Sequence, residues 1–265
     1  MGQRARALAG LAVTRPPTVP PAAGPGADPA AAAGVFDRAA SDYSAEIDRT
    51  LGSYGARHAF FTEHKARLIL RLLAERGRDP GAMRLLDVGC GVGHIHAHLG
   101  AHFAAIEGVD VSAASIEVAR ASYPQHRYRV YDGDSLPLPD AEVDLSLAIC
   151  VFHHVPPAGW ARLAAEMLRV LRPGGLALVI EHNPFNPLTR KIVRDCPLDR
   201  DAVLLRPATL RGLFRDAGAL RVASRSILSV PPANGPLMTL DGWFGRLPFG
   251  AQYWCLAEPA GHAAA

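Results

Sequence analysis

The sequence predicts an α/β fold, a doubly wound and mostly parallel sheet with a helical cap at its N-terminal side. Three observations lead to it. Strand-like and helix-like apolar patterns alternate over residues 84–181, a glycine-rich turn follows the first strand, and acidic residues stand near the ends of the next two. Alternating strands and helices build parallel sheets, which bind ligands beyond the carboxyl ends of their strands. We therefore expect the functional residues at those strand ends.

The composition predicts an ordinary globular domain. The chain has 265 residues, 49% of them hydrophobic, which is enough for one large buried core. A net charge of +3 with scattered arginines indicates no nucleic-acid-binding surface. Without a run of about 20 apolar residues we expect no membrane span. The four cysteines form neither a C-x-x-C pair nor a dense disulfide framework, so a reducing, cytoplasmic setting is the interpretation.

The N-terminal region predicts two parts. Residues 1–34 are rich in Ala, Pro and Gly, and we expect a disordered tail, although the arginine-rich, acid-poor start also fits a transit peptide. The domain then covers 35–265. Helical spacing of apolar residues over 36–51 and 58–76 predicts a helical cap within 35–80.

The elements of the sheet region follow from periodicity and from turn residues. Pro173, Gly174 and Gly175 are expected to end one helix and turn the chain into the next strand. The segment 210–258 holds the C-terminal strands and a lid loop, whose Trp243, Phe244 and Phe249 either cover a cavity or pack in the core. We predict strands at 84–89, 104–110, 127–131, 143–150, 175–181, 219–229 and 251–258, and helices at 92–101, 113–121, 157–171, 187–195 and 207–217.

The turn after the first strand reads DVGCGVG over residues 87–93 and fits the pattern [DE]-x-G-x-G-x-G. Glycines at alternate positions let the backbone turn tightly and approach a ligand without a Cβ in the way. A helix N-terminus behind them presents free N–H groups. His94 follows Gly93, so the spacing is not the G-x-G-x-x-G of dinucleotide folds. A generic tight turn is the alternative.

Two further acids suggest a nucleoside in this turn. Asp110 ends the second strand, where a carboxylate can accept both hydroxyls of a ribose. Asp134 follows the third strand and could accept from an adenine amino group, while the N–H of Ser135 donates to the ring. Either acid alone also fits ordinary turn chemistry.

These motifs together resemble the class I S-adenosylmethionine-dependent methyltransferases. The resemblance covers about 35–258 and rests on LLDVGCGVG (85–93), GVDVS (108–112), DGDSLPLPDAEVDL (132–145) and LRVLRPGGLALVIE (168–181). It implies a seven-stranded Rossmann-like sheet with the last strand inserted antiparallel, and S-adenosylmethionine as cofactor. It also implies the contacts: Asp87, Gly89, Cys90, Gly91 and Gly93 at the methionine end, Asp110 at the ribose, Val111 at the adenine face, Asp134 and Ser135 at the adenine edge, and the Cys150 carbonyl.

Three histidines follow the glycines, namely His94, His96 and His98. On a helix, residues i and i+2 diverge, so the three cannot face one way. His94 could meet His98, and His98 could meet His102, but no third ligand follows at a recognisable spacing and an ion there would compete with the cofactor. We therefore predict no metal site and a solvated helix face, with His94 near the cofactor carboxylate.

Candidate catalytic residues follow the fourth and fifth strands. A neutral imidazole of His153 or His154 could accept a proton near neutral pH, unless one of them merely caps the next helix. Phosphobase members of the family pair such a histidine with a tyrosine, and this resemblance implies Tyr43 with His154. His182 and Glu181 are second choices as the base, with loop-fixing hydrogen bonds as the alternative.

The acceptor is predicted only as a class. The N-P-P-[YF] motif of nucleobase methyltransferases follows the fourth strand, where this chain has CVFHHV, so nucleobase methylation is disfavoured. The expectation is methyl transfer to an oxygen or nitrogen of a small molecule with hydrophobic parts, as in secondary metabolism. A C-methyltransferase and a non-catalytic cofactor-binding subunit remain alternatives, and the oligomeric state is not predicted.

Overall fold

The computed structural model describes residues 29–40, 43–52, 58–228 and 247–259. Strands and helices alternate through most of this region. The strands are β1 (Arg84–Val88), β2 (Ala105–Asp110), β3 (Arg127–Val130), β4 (Val143–Ile149), β5 (Leu171–His182), β6 (Ala219–Ile227) and β7 (Gln252–Pro259). The helices are α1 (Pro29–Ala39), α2 (Tyr43–Gly52), α3 (His58–Ala74), α4 (His96–Leu99), α5 (Ala113–Ser122), α6 (Trp160–Arg169), α7 (Pro187–Asp195) and α8 (Pro207–Asp216).

The strands form one seven-stranded sheet in the order β3-β2-β1-β4-β5-β7-β6. The first five strands pair in parallel, and β7 lies antiparallel between β5 and β6. The chain order therefore reverses between β1 and β4, and this is where ligands bind in open α/β sheets. The predicted fold class and the inserted antiparallel strand are confirmed.

Apolar side chains alternate between the two faces of the sheet and bury both. In β1, Leu86 and Val88 belong to the core packed under α6 and α8, whereas Leu85 belongs to the core packed under α3. The same alternation in β5 separates Val179 from Ile180. Because helices pack on both faces of the sheet, the carboxyl ends of β1, β4 and β5 are held together at one edge.

Several element boundaries differ from the sequence-based prediction. Helix α1 begins at Pro29, inside the predicted tail, because the alanines that follow it are strong helix formers. Residues 36–51 belong to two helices instead of one. Helix α4 is a single turn, since Gly93 has a φ of 81° and the next two residues form a turn. Strand β5 begins at Leu171, and an irregularity around Gly174 separates its first pairing from the rest.

Two other expectations concern the surface. Among the described residues, no helix has the length and apolar character that crossing a bilayer requires. Of the lid-loop aromatics, Trp243 and Phe244 lie outside the described residues. Phe249 is 64% exposed, so core packing was the wrong interpretation for this side chain.

Candidate functional site

A cavity of ≈ 210 Å³ opens at the carboxyl ends of β1, β4 and β5. Three regions line it: the cap helices, the glycine loop that follows β1, and the segments that follow β4, β5 and α7. The lining includes Phe36, Ile47, Leu51, Phe61 and Lys65 from the cap, Asp87, Gly89, Cys90, Gly91 and His94 from the loop region, and Cys150, His153, His154, His182 and Asp199 at the far end. The cavity thus joins the two sets of residues that the sequence singled out.

The glycine loop (Gly89–Gly93) requires glycine for two separate reasons. Gly89, Gly91 and Gly93 have φ angles of 69°, 51° and 81°, which side-chain-bearing residues adopt only with strain. A Cβ at Gly89 would also lie 2.6 Å from Cγ2 of Val151, which follows β4. A Cβ at Gly91 would meet nothing within 4 Å. The loop therefore packs tightly against the β4 side and exposes bare main chain to the cavity.

A buried histidine, His96, orients Asp87, the first residue of the [DE]-x-G-x-G-x-G motif. Oδ2 of Asp87 lies 3.0 Å from Nε2 of His96, whose Nδ1 lies 2.8 Å from the Tyr128 hydroxyl. His96 is 1% exposed, so the prediction of a solvated histidine face was wrong for this residue. The reason is the short α4: the turn before it directs His96 beneath the loop, toward β1 and β3. The sequence contained no signal for this pairing.

The neighbouring histidines point elsewhere. His94 lines the cavity, and its ring meets the His58 ring edge to face at 5.2 Å between centroids. Burial lowers the pKa of both imidazoles, that of His58 to about 4, so both are neutral at neutral pH. His98 and His102 are exposed on the outside. The expected divergence of the three loop histidines is therefore observed.

Asp110 links the glycine loop to the end of β2. Its Oδ2 accepts from the Gly91 N–H at 2.7 Å and its Oδ1 from the Ser112 N–H at 2.9 Å. Burial raises the pKa of this carboxyl, against the effect of these hydrogen bonds. Asp37 of α1 accepts from the Ser112 hydroxyl at 2.6 Å and from the Ala114 N–H at 3.1 Å. Helix α1 is thereby held against the N-terminus of α5, beside Asp110.

The residues predicted at the ribose and adenine are described but do not line the cavity; they are Asp110, Val111, Asp134 and Ser135. Asp134 pairs with Arg162, and the Ser135 N–H donates to Oδ1 of Asp132 at 3.1 Å. The N–H expected to face adenine is thus already hydrogen bonded. Their roles toward a nucleoside stay predictions.

At the far end of the cavity, Cys150 directly follows β4 and has a φ of 58°. Its Sγ lies 3.7 Å from Nζ of Lys65 and 3.5 Å from Nε2 of Gln252. Burial opposes ionisation of this thiol, but Lys65 and His182 together lower its pKa to about 7. The sequence predicted a role only for the Cys150 carbonyl. A lysine on the otherwise apolar face of α3 was the missed signal.

Glu181, at the end of β5, positions the turn that follows β4. Its Oε1 accepts from the N–H groups of Val151 and Phe152 at 2.9 and 2.7 Å, and its Oε2 lies 2.6 Å from Nδ1 of His153. Burial alone would raise the pKa of Glu181, but His153 lowers it below its ordinary value. Glu181 is therefore a carboxylate that holds His153 in place, which favours the loop-fixing interpretation over a role as base.

Asp199 joins the two histidines after β4 from a turn that follows α7. Its Oδ1 lies 3.6 Å from Nε2 of His153 and 3.4 Å from Nε2 of His154. Burial and the neighbouring His153 lower the pKa of His154 to about 3, which makes this imidazole neutral but weakly basic. The ring of His182 lies 5.0 Å from that of His153. Sequence reasoning did not find Asp199, which no motif marks.

The predicted partner of His154 is Tyr43, which begins α2 and whose side chain lies outside the described residues. Phe36 of α1 meets the His154 ring edge to face at 5.0 Å between centroids.

Comparison with known proteins explains this arrangement. The family model described as "Methyltransferase domain" matches residues 86–179, which run from β1 to β5. A "Probable S-adenosylmethionine-dependent methyltransferase" of Mycolicibacterium smegmatis is 35% identical over 157 residues, which are 57% of this chain and 55% of that protein. Residues 86–179 thus match a methyltransferase domain, and the chain is similar to the class I S-adenosylmethionine-dependent methyltransferases. S-adenosylmethionine is the cofactor of this family.

Other similar proteins carry names that refer to different acceptors. The malonyl-[acyl-carrier protein] O-methyltransferase of Serratia marcescens is 31% identical over 153 residues, 56% of this chain and 51% of that protein. A crystal structure from Thermotoga maritima, described as a "possible histamine N-methyltransferase", superposes with a TM-score of 0.61 at 20% identity over 85% of this chain and 98% of that one. The chain spans about half the length of the curated relatives it matches.

Proposed function

We propose that this methyltransferase domain transfers a methyl group from S-adenosylmethionine to an oxygen or nitrogen of a small-molecule acceptor. One observation carries the proposal: a single cavity has the glycine loop and Asp87 at one end and His154 and His182 at the other. A donor and an acceptor bound in one cavity react as neighbours, which is the main contribution an enzyme makes to group transfer.

The glycine loop fits the methionine end of the cofactor. Its main chain is bare at Gly91, and any side chain at Gly89 would collide with Val151. In our proposal Asp87 accepts from the methionine ammonium, and the buried Lys65, which also lines the cavity, attracts the carboxylate. When bound, the cofactor supplies an electrophilic methyl group on a sulfonium.

The walls of the cavity support an acceptor with apolar parts. Phe36, Ile47, Leu51, Phe61 and Ile192 contribute apolar side chains to its lining. The related proteins from Serratia and Thermotoga carry names of oxygen and nitrogen acceptors, respectively, which supports keeping both atoms in the proposal.

Within the site, the chain has two tasks. Apolar walls exclude water, and the polar end orients the acceptor so that its lone pair faces the glycine loop. A hydroxyl or ammonium acceptor must also lose a proton. We keep His154 as the first group to contact that proton, with His153, His182 and Tyr43 as the further catalytic candidates.

The test begins with S-adenosylhomocysteine, titrated calorimetrically into the full chain. We expect one binding site per chain, with an affinity that is weakened in Gly89→Ala and kept in Gly212→Ala. Labelled S-adenosylmethionine is then offered with small alcohols, phenols, carboxylic acids and amines. Failure to bind S-adenosylhomocysteine would end the proposal. Binding without turnover on any acceptor would favour the non-catalytic subunit. A product that carries the labelled methyl group on carbon would favour the C-methyltransferase.

A substitution of His154 tests the proposed contact between this residue and the acceptor. His154→Ala should reduce turnover by about 10²-fold while leaving S-adenosylhomocysteine affinity nearly unchanged. The exposed His98→Ala is the matched control and should match the wild type. If His154→Ala turns over as fast as the control, His154 has no role in accepting the proton of the acceptor.

Two broader expectations also stay proposals. We keep residues 35–265 as the methyltransferase domain, and helix α1 begins before it, at Pro29. We also keep a cytoplasmic setting, which the four free cysteines support because none of them forms a disulfide.

A further inference from the structure

Three potential metal ligands converge at the far end of the cavity, although they come from two distant parts of the sequence. In the described ranges, the residues that could jointly hold a metal ion are His153, His154 and Asp199, with one ligand atom from each within 4.8 Å of the others. We propose that this group, the His-His-Asp cluster, binds a divalent transition-metal ion. The proposal deepens the proposed function by assigning the acceptor end of its cavity.

The separations fit a bound ion. Ligand atoms at about 2.0–2.2 Å from a tetrahedral ion lie about 3.4 Å from one another. Oδ1 of Asp199 lies 3.4 Å from Nε2 of His154 and 3.6 Å from Nε2 of His153. Both distances exceed a normal hydrogen bond, so the cluster leaves a gap between its polar atoms that an ion can fill.

The surroundings of His153 support the same conclusion. Its Nδ1 lies 2.6 Å from the Glu181 carboxylate, which only accepts hydrogen bonds, so Nδ1 carries a hydrogen. Its Nε2 is buried with no hydrogen-bond partner, and an ion bound there would take the place of a proton on this atom. Metal-binding histidines in proteins are held in this way, by a carboxylate on the other ring nitrogen.

The donor set indicates the kind of ion. Imidazole nitrogens suit Zn²⁺, Fe²⁺, Ni²⁺ and Cu²⁺, whereas Mg²⁺ and Ca²⁺ prefer oxygen ligands throughout. Three protein ligands are the number found in catalytic zinc sites, which keep another position open. His153, His154 and Asp199 all line the cavity, so we infer that the open position faces the acceptor.

Such an ion selects among acceptors. A divalent ion lowers the pKa of a coordinated hydroxyl and attracts an anionic oxygen, while a protonated amine is repelled. On the basis of the proposed function, the cluster therefore favours an acceptor that presents an oxygen nucleophile over one that presents nitrogen or carbon. His154 acts as a ligand in this assignment, and Glu181 is a positioning residue.

The test uses the full chain without a polyhistidine tag, stripped of metal by a chelator and then titrated with Zn²⁺. We expect one ion per chain. Asp199→Asn and His154→Ala should each weaken Zn²⁺ binding by at least about 10-fold, and Glu181→Gln by about 10- to 100-fold. Asp201→Asn and His98→Ala, both on exposed residues, are the matched controls and should bind as the wild type does. Co²⁺ provides a second readout, since its visible absorption reports nitrogen and carboxylate coordination.

Folding of each variant is checked by circular dichroism and by S-adenosylhomocysteine titration of the same sample. Asp199→Asn keeps the shape of the side chain, so it tests the cluster even where His154→Ala does not fold. No Zn²⁺ or Co²⁺ uptake, or equal uptake by Asp199→Asn and the wild type, overturns the metal site. S-adenosylhomocysteine binding without metal uptake refutes the site alone, whereas metal uptake without S-adenosylhomocysteine binding refutes the proposed function alone.

Discussion

Nε2 of His96 lies 3.0 Å from Oδ2 of Asp87, and both side chains are buried beneath the glycine loop. The other ring nitrogen of His96 lies 2.8 Å from the Tyr128 hydroxyl on β3. One imidazole thus connects the acid at the end of β1 to a neighbouring strand. The orientation of Asp87 in the cavity depends on a residue that does not itself line it.

Replacing His96 tests this positioning role. His96→Leu leaves the Asp87 carboxylate buried with its partner removed, which costs about 1–3 kcal/mol of unfolding free energy. We expect S-adenosylhomocysteine to bind roughly 10-fold more weakly as Asp87 turns away, an affinity cost of about 1.4 kcal/mol. Urea unfolding and calorimetry measure the two effects. The exposed His98→Leu serves as control, and equal affinities of the two variants would contradict the role.

A methyl group at Gly89 is expected to disable the loop. Gly89→Ala places a side chain at a φ of 69° and a Cβ 2.6 Å from Val151. The left-handed conformation alone costs about 1–2 kcal/mol. Cofactor affinity should fall by about 10-fold or more, and adding Val151→Ala should restore part of it by removing the collision. Gly212→Ala has open space on α8 and should be neutral or stabilising by up to about 1 kcal/mol. A Gly89→Ala protein with unchanged affinity would show that the loop does not approach the cofactor.

Loss of Glu181 is expected to be the most damaging carboxylate deletion. Glu181→Ala removes the acceptor of two backbone N–H groups and of Nδ1 of His153, all at the buried turn after β4. Breaking a buried ionic pair from one side costs about 3–5 kcal/mol. Denaturant unfolding should show a loss of this size. Glu117→Ala, which removes only the exposed pair with Arg120, should cost at most about 1 kcal/mol. A cost for Glu181→Ala as small as that of the control would exclude the positioning role.

Thiol chemistry should single out Cys150. Lys65 and His182 lower its pKa to about 7 against the opposing effect of burial, while burial raises the pKa of Cys90, that of Cys196 to about 11 and that of Cys255 to about 12. Because the thiolate is the reactive form, alkylation of Cys150 by iodoacetamide should rise between about pH 6 and pH 8, ahead of the other three.

Lys65→Met removes the cation and should shift this rise to higher pH. Peptide mass spectrometry after timed alkylation provides the measurement, and S-adenosylhomocysteine should protect Cys150, which lines the same cavity. A pH midpoint that does not move in Lys65→Met would show that the ammonium does not stabilise the thiolate.

Local patterns in the sequence determined the architecture and one end of the site. Apolar segments that alternate between strand-like and helix-like patterns marked the strands of the sheet, and the mostly parallel order followed because strand, helix and strand in succession allow few connections. The glycine loop was readable because positive φ angles and close backbone approach leave glycine as the fitting residue at those positions. These features rest on neighbours in sequence, so no long-range contact is needed to see them.

The other end of the site was decided by tertiary packing. His153 meets Glu181 from 28 residues away, Lys65 meets Cys150 from 85, and Asp199 reaches both histidines from a turn that follows α7. No periodicity or spacing connects such residues, because their separation in space depends on how β4, β5 and α7 pack at one edge of the sheet. The same holds for His96, whose direction depends on where a single-turn helix begins. The sequence by itself thus determined the edge of the sheet at which we propose that a ligand binds, and only the folded chain decided which polar groups lie there.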